Sequence, residues 1–220
     1  MAKFHKIDTL GIIRSTGIVP VFYSADIELA KKVAKACYDG GIRAFEFTNR
    51  GDGAHRVFEQ LMAFVRSECP EMALGAGTIL DAGTASLYIQ LGADFLVSPC
   101  IVEDAIAVAN RRGVPFTPGC GSVTEVVRAM ELGCELVKAF PAGCVGGPDF
   151  IKNVLAPLPW AMLMATGAVE PTEENLGAWA RSGVTAVGMG SRLFPKDALA
   201  KGDWQAVSEL CRRCLQWFSR

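Results

Sequence analysis

Short apolar runs alternate with longer amphipathic segments along the whole chain. Segments of helix length, such as those at 26–41 and 122–133, place apolar residues at helical spacing after an Asp or a Ser. The apolar runs between such segments have the length and character of strands. Eight of them begin 20 to 29 residues apart: "IVPVFY" from residue 18, "AFEFTNR" from 44, "ALGAGT" from 73, "FLVSPC" from 95, "PFTPGC" from 115, "LVKAFPA" from 136, "AMLMATG" from 161 and "AVGMG" from 186.

This alternation predicts one domain over residues 1–220 with an α/β fold, a (β/α)8 TIM barrel. The segment "KIDTLGIIRST" at 6–16 is predicted to form an extra N-terminal helix. A doubly wound sheet is the alternative architecture. Glycine precedes the next strand at five junctions, where it suits a left-handed helix C-cap: "GGIRAFEF", "LGADFLV", "RGVPFTP", "LGCELVK" and "SGVTAVG".

The period of two along a strand predicts which side chains face the barrel interior. In "AFEFTNR", Phe45 and Phe47 share one face and belong against the outer helices. The opposite face carries Ala44, Glu46, Thr48 and Arg50, which is unlike the usual Val, Ile and Leu filling of a barrel. In "LVKAFPA" the inward set contains Leu136, Lys138, Phe140 and Ala142. Both runs are even-numbered strands, and alternate strands share interior layers, so Glu46 and Lys138 are expected to meet near the barrel axis.

Two interpretations of this pair remain open at this point. One is a structural ion pair whose remaining hydrogen bonds are satisfied by Arg50 and Thr48, although a buried ion pair gains little over apolar packing. The other is catalysis, because barrel active sites lie at the carboxyl ends of the strands. A buried amine with a lowered pKa can form an imine with a carbonyl, a nearby carboxyl group can move protons, and an arginine can hold a carboxylate with its planar fork.

Charge and composition favour a small-molecule partner. The 22 Lys and Arg residues nearly balance 23 Asp and Glu residues, so the net charge of −1 provides no field to attract nucleic acid or an anionic membrane. The uncharged run that contains 154–169 is shorter than a membrane helix of about 20 residues and contains two prolines. Arg14 interrupts the candidate for an apolar signal core.

Cysteine and histidine usage indicates a reduced, metal-free protein. The eight cysteines lie mostly in apolar or helical segments rather than in a spaced framework, which is typical of the cytoplasm. Cys211 and Cys214 have no second pair and no nearby histidine, so two thiols on a helix face are expected rather than a metal site. The two histidines, His5 and His55, provide no cluster for a divalent cation.

The ordered set "FEFTNR", "GAGT", "SPC", "PGC", "VKAFPA" and "ATGAVEPTEEN" resembles the KDPG/KHG aldolases, class I lyases of 2-keto-3-deoxy-6-phosphogluconate and 4-hydroxy-2-oxoglutarate. The resemblance covers nearly the whole chain. It implies cleavage of such a 2-keto acid to pyruvate and an aldehyde, no cofactor, no metal and a homotrimer. It also implies roles for six residues: Lys138 forms the imine, Glu46 is the acid and base, Arg50 and Thr78 hold the pyruvate carboxylate, and Pro99 and Phe140 pack around the pyruvyl group.

The distal end of the substrate is where the chain departs from that pattern. After the seventh run "ATGA" puts Ala168 in place of the second glycine of "TGG", and Tyr23 lies where several relatives carry an arginine. Barrels commonly bind phosphate after the last two strands, so Gly167, Gly190 and Ser191 are candidate phosphate contacts, with Ala168 restricting the approach. The alternative functions are a phosphosugar isomerase or epimerase on the same barrel and a non-catalytic sugar-acid binder.

Overall fold

The structure is a computed structural model that describes residues 2–219. The strands are β1 Ile18–Phe22, β2 Ala44–Thr48, β3 Ala73–Gly77, β4 Leu96–Val97, β5 Phe116–Thr117, β6 Gly119–Cys120, β7 Leu136–Ala139, β8 Met162–Thr166 and β9 Ala186–Met189. The helices are α1 Lys6–Thr16, α2 Ile27–Asp39, α3 Ala54–Glu68, α4 Ala82–Gln90, α5 Glu103–Arg111, α6 Val123–Glu131, α7 Gly147–Leu155, α8 Glu173–Arg181, α9 Lys196–Lys201 and α10 Trp204–Phe218, with a 3-10 turn at Ser191–Leu193. No helix within 2–219 is long and apolar enough to cross a membrane.

The nine strand segments form a nearly closed parallel barrel. Their order is β5, β4, β3, β2, β1, β9, β8, β7, β6, and every pairing between neighbours is parallel. The first and the last strand of the chain pair through Ile18 and Val187. This pairing contradicts the doubly wound alternative, whose sheet has two free edges.

The run predicted as one strand at 115–120 is divided at Pro118. Proline has no backbone N–H to donate to a ladder, and β5 and β6 lie on either side of it. The first half pairs with β4, whereas Gly119 pairs with Lys138 on β7. The Pro118 carbonyl still accepts a hydrogen bond from the Lys138 N–H at 2.9 Å. The two edges of the sheet are therefore consecutive in sequence.

Local signals place the helices as the sequence predicts. Residues Lys6–Thr16 form α1, which precedes β1. Glycine has positive φ at all five predicted junctions, which confirms the left-handed caps: Gly41, Gly92, Gly113, Gly133 and Gly183. Side chains of five residues accept hydrogen bonds from the first turns of helices around the barrel: Asp26, Asp81, Ser122, Thr172 and Asp203.

Two separate apolar clusters confirm the predicted directions of the side chains. Phe45 and Phe47 belong to the large cluster between the barrel and its outer helices, as does Val137. Ala44 and Leu136 belong to a second, smaller cluster inside the barrel. Its other members are Ile13 of α1, Val19, Ala73, Phe95, Val97, Met164 and Ala186. Two residues further along the same inward faces the side chains are no longer apolar. Glu46 follows Ala44 on β2, and Lys138 follows Leu136 on β7.

Candidate active site

Lys138 lies in the middle of β7 with a buried and unpaired amine. The residue is only 7% exposed, and its register neighbours are Gly119 and Met164. The Nζ atom lies 4.6 Å from the centroid of the Phe140 ring, and no hydrogen bond or ion pair from the described residues holds it. Burial lowers the pKa of Lys138; Glu46 opposes this change and Arg50 adds to it. The amine therefore loses its proton at a lower pH than an exposed lysine does.

Glu46 lies on β2, beside β3, and is 1% exposed. Its Oε2 atom is buried without a hydrogen-bond partner. Burial raises the pKa of Glu46, while the positive charges of Lys138 and Arg50 oppose the change. The pKa of Glu46 therefore lies above that of a free glutamate, and its Oε2 atom is available to exchange a proton.

The structural ion-pair interpretation does not fit this geometry. Within the described part of the chain no direct ion pair joins Lys138 to Glu46, although each affects the pKa of the other. Thr48 does not complete such a pair, since its hydroxyl donates to the Phe22 carbonyl at 3.4 Å. Both buried groups are shifted toward their neutral forms, which is the opposite of what a structural ion pair requires.

Gly77 is a residue that the sequence reasoning did not single out. A Cβ atom at this position would overlap Glu46 Oε1, so the absence of a side chain on β3 creates the space in which the carboxyl group lies. The signal was present in "GAG", because two glycines in a strand mark a close approach. Only the pairing of β2 with β3 shows that Glu46 is the group that approaches Gly77.

The four other residues predicted near the reacting group lie at strand ends. Arg50 is exposed, two residues after β2, and its charge affects the pKa of both Glu46 and Lys138. Thr78 follows β3 with φ of 64°, a conformation that is uncommon for a β-branched residue and that clusters at functional sites. Pro99 follows β4, and its carbonyl approaches Gly119 closely. Phe140 follows β7 and lies beneath Lys138 Nζ.

The residues predicted to contact the distal end of the substrate lie in two separate places. Gly190 and Ser191 line a cavity of about 490 Å³ that also contains Arg50 and Tyr23. Gly167 and Ala168 follow β8 with φ of 101° and 59°, and neither lines this cavity. A Cβ atom added at Gly143 would lie 2.5 Å from the Ala168 methyl group, and the Ala168 carbonyl accepts from Asn175 Nδ2 at 3.2 Å.

No group of three or more His, Cys, Asp or Glu side chains within 2–219 is arranged to hold an ion.

Comparisons with known proteins identify a family that this chain resembles over most of its length. The family model described as "KDPG and KHG aldolase" matches residues 10–210. The 2-dehydro-3-deoxy-phosphogluconate aldolase of Pseudoalteromonas atlantica is 32% identical over 215 residues, which cover 98% of this chain and 97% of that protein. The KHG/KDPG aldolase of Escherichia coli is 30% identical over 214 residues, with 97% and 98% covered.

A solved structure extends the similarity to the backbone. It is that of KDPG aldolase from Legionella pneumophila with pyruvate captured at low pH as a covalent carbinolamine intermediate. The two chains superimpose with a TM-score of 0.82 and 26% identity, covering 93% of this chain and 96% of that one. With a family model matched over most of the sequence and relatives aligned over nearly their full lengths, the chain belongs to the KDPG and KHG aldolase family.

Proposed function

We propose that this protein is a class I aldolase that cleaves a 2-keto-3-deoxy or 4-hydroxy-2-keto acid to pyruvate and an aldehyde. The substrates named by the family are KDPG and 4-hydroxy-2-oxoglutarate, which yield glyceraldehyde 3-phosphate and glyoxylate respectively. The observation that carries the proposal is the buried, unpaired Lys138 amine, whose pKa is lowered, in the same barrel layer as Glu46. The covalent pyruvate adduct of the Legionella relative supports it.

The first half of the reaction forms the imine. The neutral Lys138 amine attacks the C2 carbonyl carbon, and the resulting carbinolamine loses its hydroxyl group as water. Glu46, whose pKa is raised by burial, donates the proton that the leaving hydroxyl needs and becomes a carboxylate. The product is a protonated imine, which can accept an electron pair from the neighbouring carbon–carbon bond.

The second half breaks that bond and releases both products. The Glu46 carboxylate takes the proton of the C4 hydroxyl group, directly or through water, as the C3–C4 bond breaks and its electron pair forms an enamine. The aldehyde then leaves. Glu46 returns its proton to C3, and water hydrolyses the imine to release pyruvate and the Lys138 amine. Protons and electrons balance without a cofactor or a metal.

The residues around the amine fit the recognition of a small keto acid. Arg50 provides a planar guanidinium for the carboxylate, and Thr78 adds a hydroxyl group from the strained end of β3. Phe140 lies beneath the amine, and it and Pro99 would provide apolar contacts for the pyruvyl group.

For the distal phosphate we propose Gly190 and Ser191 as contacts, with Gly167 and Ala168 shaping the other side of the mouth. Ala168 occupies a left-handed conformation that glycine adopts at less cost, by about 1 kcal/mol. We expect Ala168→Gly to raise the preference for the phosphorylated six-carbon substrate over 4-hydroxy-2-oxoglutarate. The check is kcat/KM for both substrates in the two proteins; an unchanged ratio would remove Ala168 from this role.

Finer features of architecture and assembly belong to the same proposal. Only Pro118 separates β5 from β6, so we infer that the two segments act as one strand of an eight-stranded (β/α)8 barrel preceded by α1, in a single domain. Exposed apolar side chains at Leu80, just before α4, at Leu87 on α4, and at Val123 and Val127 on α6 support an interface between copies in a homotrimer. The eight free cysteines are compatible with the cytoplasm. Sedimentation of the purified protein measures its subunit number.

Borohydride reduction in the presence of pyruvate tests the reaction itself. We expect one adduct, at Lys138, and loss of aldolase activity in proportion to labelling. The exposed Lys201, which lies outside the site, is the internal control and should stay unlabelled. An isomerase, an epimerase or a non-catalytic binder would leave no reduced adduct, and labelling elsewhere would assign the chemistry to another amine.

A further inference from the structure

The cavity beside the reaction centre has more positive charge than the keto acid end of a substrate requires. It has a volume of about 490 Å³, and its walls come from the end of β1, the end of β2 and the segment after β9. Three of the lining residues are cations, Arg50, Arg192 and Lys196, and no carboxylate occurs among the described residues that line it. Since Arg50 is committed to the keto acid carboxylate under the proposed function, two cations remain for a second anionic group.

Without a substrate, Arg192 forms an ion pair whose partner an anionic substrate can replace. Its NH1 atom lies 2.7 Å from Glu170 Oε1, and the two side chains are 64% and 38% exposed. An ion pair with such exposure contributes little free energy, because water screens both groups. A substrate anion can therefore replace Glu170 as the partner of Arg192 at a small cost in free energy. The backbone of Glu170 is fixed by its N–H, which donates to Asn175 Oδ1 at 2.9 Å.

Among the described residues, those that line the cavity from the end of β1 are Val21, Phe22 and Tyr23, and none of them is a cation. Tyr23 stands at the end of β1, and a Cβ atom at Gly51 would overlap its hydroxyl group. The Tyr23 ring also contacts Phe47 with a centroid distance of 5.7 Å. The described cations that line the cavity are Arg50 and, after β9, Arg192 and Lys196.

We propose that Arg192, with Lys196 beside it, is the specificity-determining cation for an anionic group at the substrate end farthest from the keto acid, and that Glu170 competes with this group for Arg192. The anion is a phosphate ester or a carboxylate, which share the bidentate chemistry of a guanidinium. This inference rests on the proposed aldolase function and adds to it a determinant of which keto acid is preferred.

The decisive measurement compares three substrates: the phosphorylated six-carbon keto acid, its unphosphorylated form and 4-hydroxy-2-oxoglutarate. In Arg192→Ala we expect kcat/KM for an anionic-ended substrate to fall by about 10-fold to 100-fold, the weight of a charged hydrogen bond. The fall in kcat/KM should appear as a higher KM with kcat unchanged. The contact between Arg192 and the anion is made equally in the bound substrate and in the transition state. The unphosphorylated six-carbon acid should be cleaved as before. A loss confined to the phosphorylated acid identifies phosphate as the ligand, and a loss confined to hydroxy-oxoglutarate identifies a carboxylate.

Two further variants sharpen the assignment. Glu170→Gln removes the competing charge, so it should lower KM for the same anionic substrate and improve competitive inhibition by inorganic phosphate. Lys201→Ala is the matched control, since it removes an exposed cation of α9 that does not line the cavity. If this control loses as much as Arg192→Ala, general surface charge explains the effect and the proposal fails.

The outcome is separable from the proposed function. Pyruvate trapping at Lys138 does not need the distal group, so it should be unchanged in Arg192→Ala. If trapping persists while the ratios among the three substrates equal those of the natural protein, the role of Arg192 is overturned and the aldolase function stands. If the natural protein itself traps no pyruvate, the aldolase function and the inference that rests on it are both overturned.

Discussion

Two buried carboxyl groups of the same barrel are built in opposite ways. Asp94, just before β4, is fully buried, and both of its oxygens are occupied: Arg66 donates at 2.8 and 3.0 Å, and the backbone N–H groups of Lys3 and Leu74 donate at 2.9 Å. Glu46 is equally buried, but its Oε2 has no partner. Both carboxyl groups are removed from water, and only Asp94 recovers the lost hydrogen bonds.

The difference indicates what each acid does. A carboxylate with every lone pair directed at a fixed donor is locked in position, and the network around Asp94 ties the N-terminal segment, α3, β3 and β4 together. An acid with a free oxygen costs stability, because a buried polar atom lacks its partner. Such a cost is found where a group must bind or exchange something, and Glu46 shares its barrel layer with an unpaired amine.

The largest expected effect comes from Lys138→Arg. Guanidinium stays protonated and cannot attack a carbonyl, so turnover and pyruvate trapping should both be abolished. Steady-state rates and borohydride labelling measure this, with circular dichroism as the check on folding. Retained trapping in the folded variant would show that another amine forms the imine.

Glu46→Gln should follow, with turnover reduced by roughly 10² to 10⁴, the usual contribution of general acid–base catalysis. The amide keeps the shape of the neutral acid, so the thermal midpoint should change little. Stopped assays with the six-carbon substrate give the rate, and slow imine trapping should persist. Near-normal turnover would make Glu46 a structural residue of the Asp94 type.

Asp94→Ala should show the reverse pattern, with a large loss of stability and little loss of chemistry. Removing one partner of a buried pair leaves Arg66 uncompensated and typically costs about 3–5 kcal/mol. Urea unfolding gives the change in the free energy of unfolding. Under conditions where the variant is folded, pyruvate trapping at Lys138 should be close to that of the natural protein; a selective loss of trapping would connect Asp94 to the reaction.

Gly77→Ala tests the space around Glu46. The added Cβ atom overlaps Glu46 Oε1, so the carboxyl group must move or β3 must shift, at a cost of about 1–3 kcal/mol. We expect kcat to fall while the variant remains folded. Gly11→Ala on α1 is the matched control, because nothing lies within 4 Å of its added Cβ atom. Unchanged kcat in the Gly77 variant would mean that Glu46 tolerates displacement.

The smallest effects are shifts in the pH dependence of the Lys138 amine. Its pKa lies below the usual lysine value, so the reactive neutral form should appear at lower pH than for a surface lysine. Arg50→Ala removes a positive neighbour and should move this onset to higher pH, whereas Glu46→Gln removes the group that raises the pKa and should move it to lower pH. Acetylation of Lys138 at graded pH, followed by peptide mass mapping, measures both shifts without substrate. Shifts with the opposite signs would contradict the assigned charges.

Much of the architecture was predictable because its signals are local. The period of two along β2 and β7 assigns inward and outward faces, and Phe45, Glu46 and Lys138 lie as that period predicts. The glycine junctions gave the helix ends for the same reason, since a left-handed cap depends on one residue. The ordered motifs identified the family, which the comparisons confirm.

The remaining features were decided by tertiary structure, because they depend on contacts between segments distant in sequence. Strand pairing alone brings Gly77 beside Glu46, and barrel closure alone removes Lys138 and Glu46 from water and so shifts their pKa values. The ion pair of Glu170 with Arg192 and the network around Asp94 likewise join separate elements. The sequence by itself determined which side chains enter the barrel; their burial, spacing and partners, which set their chemistry, exist only once the sheet has closed.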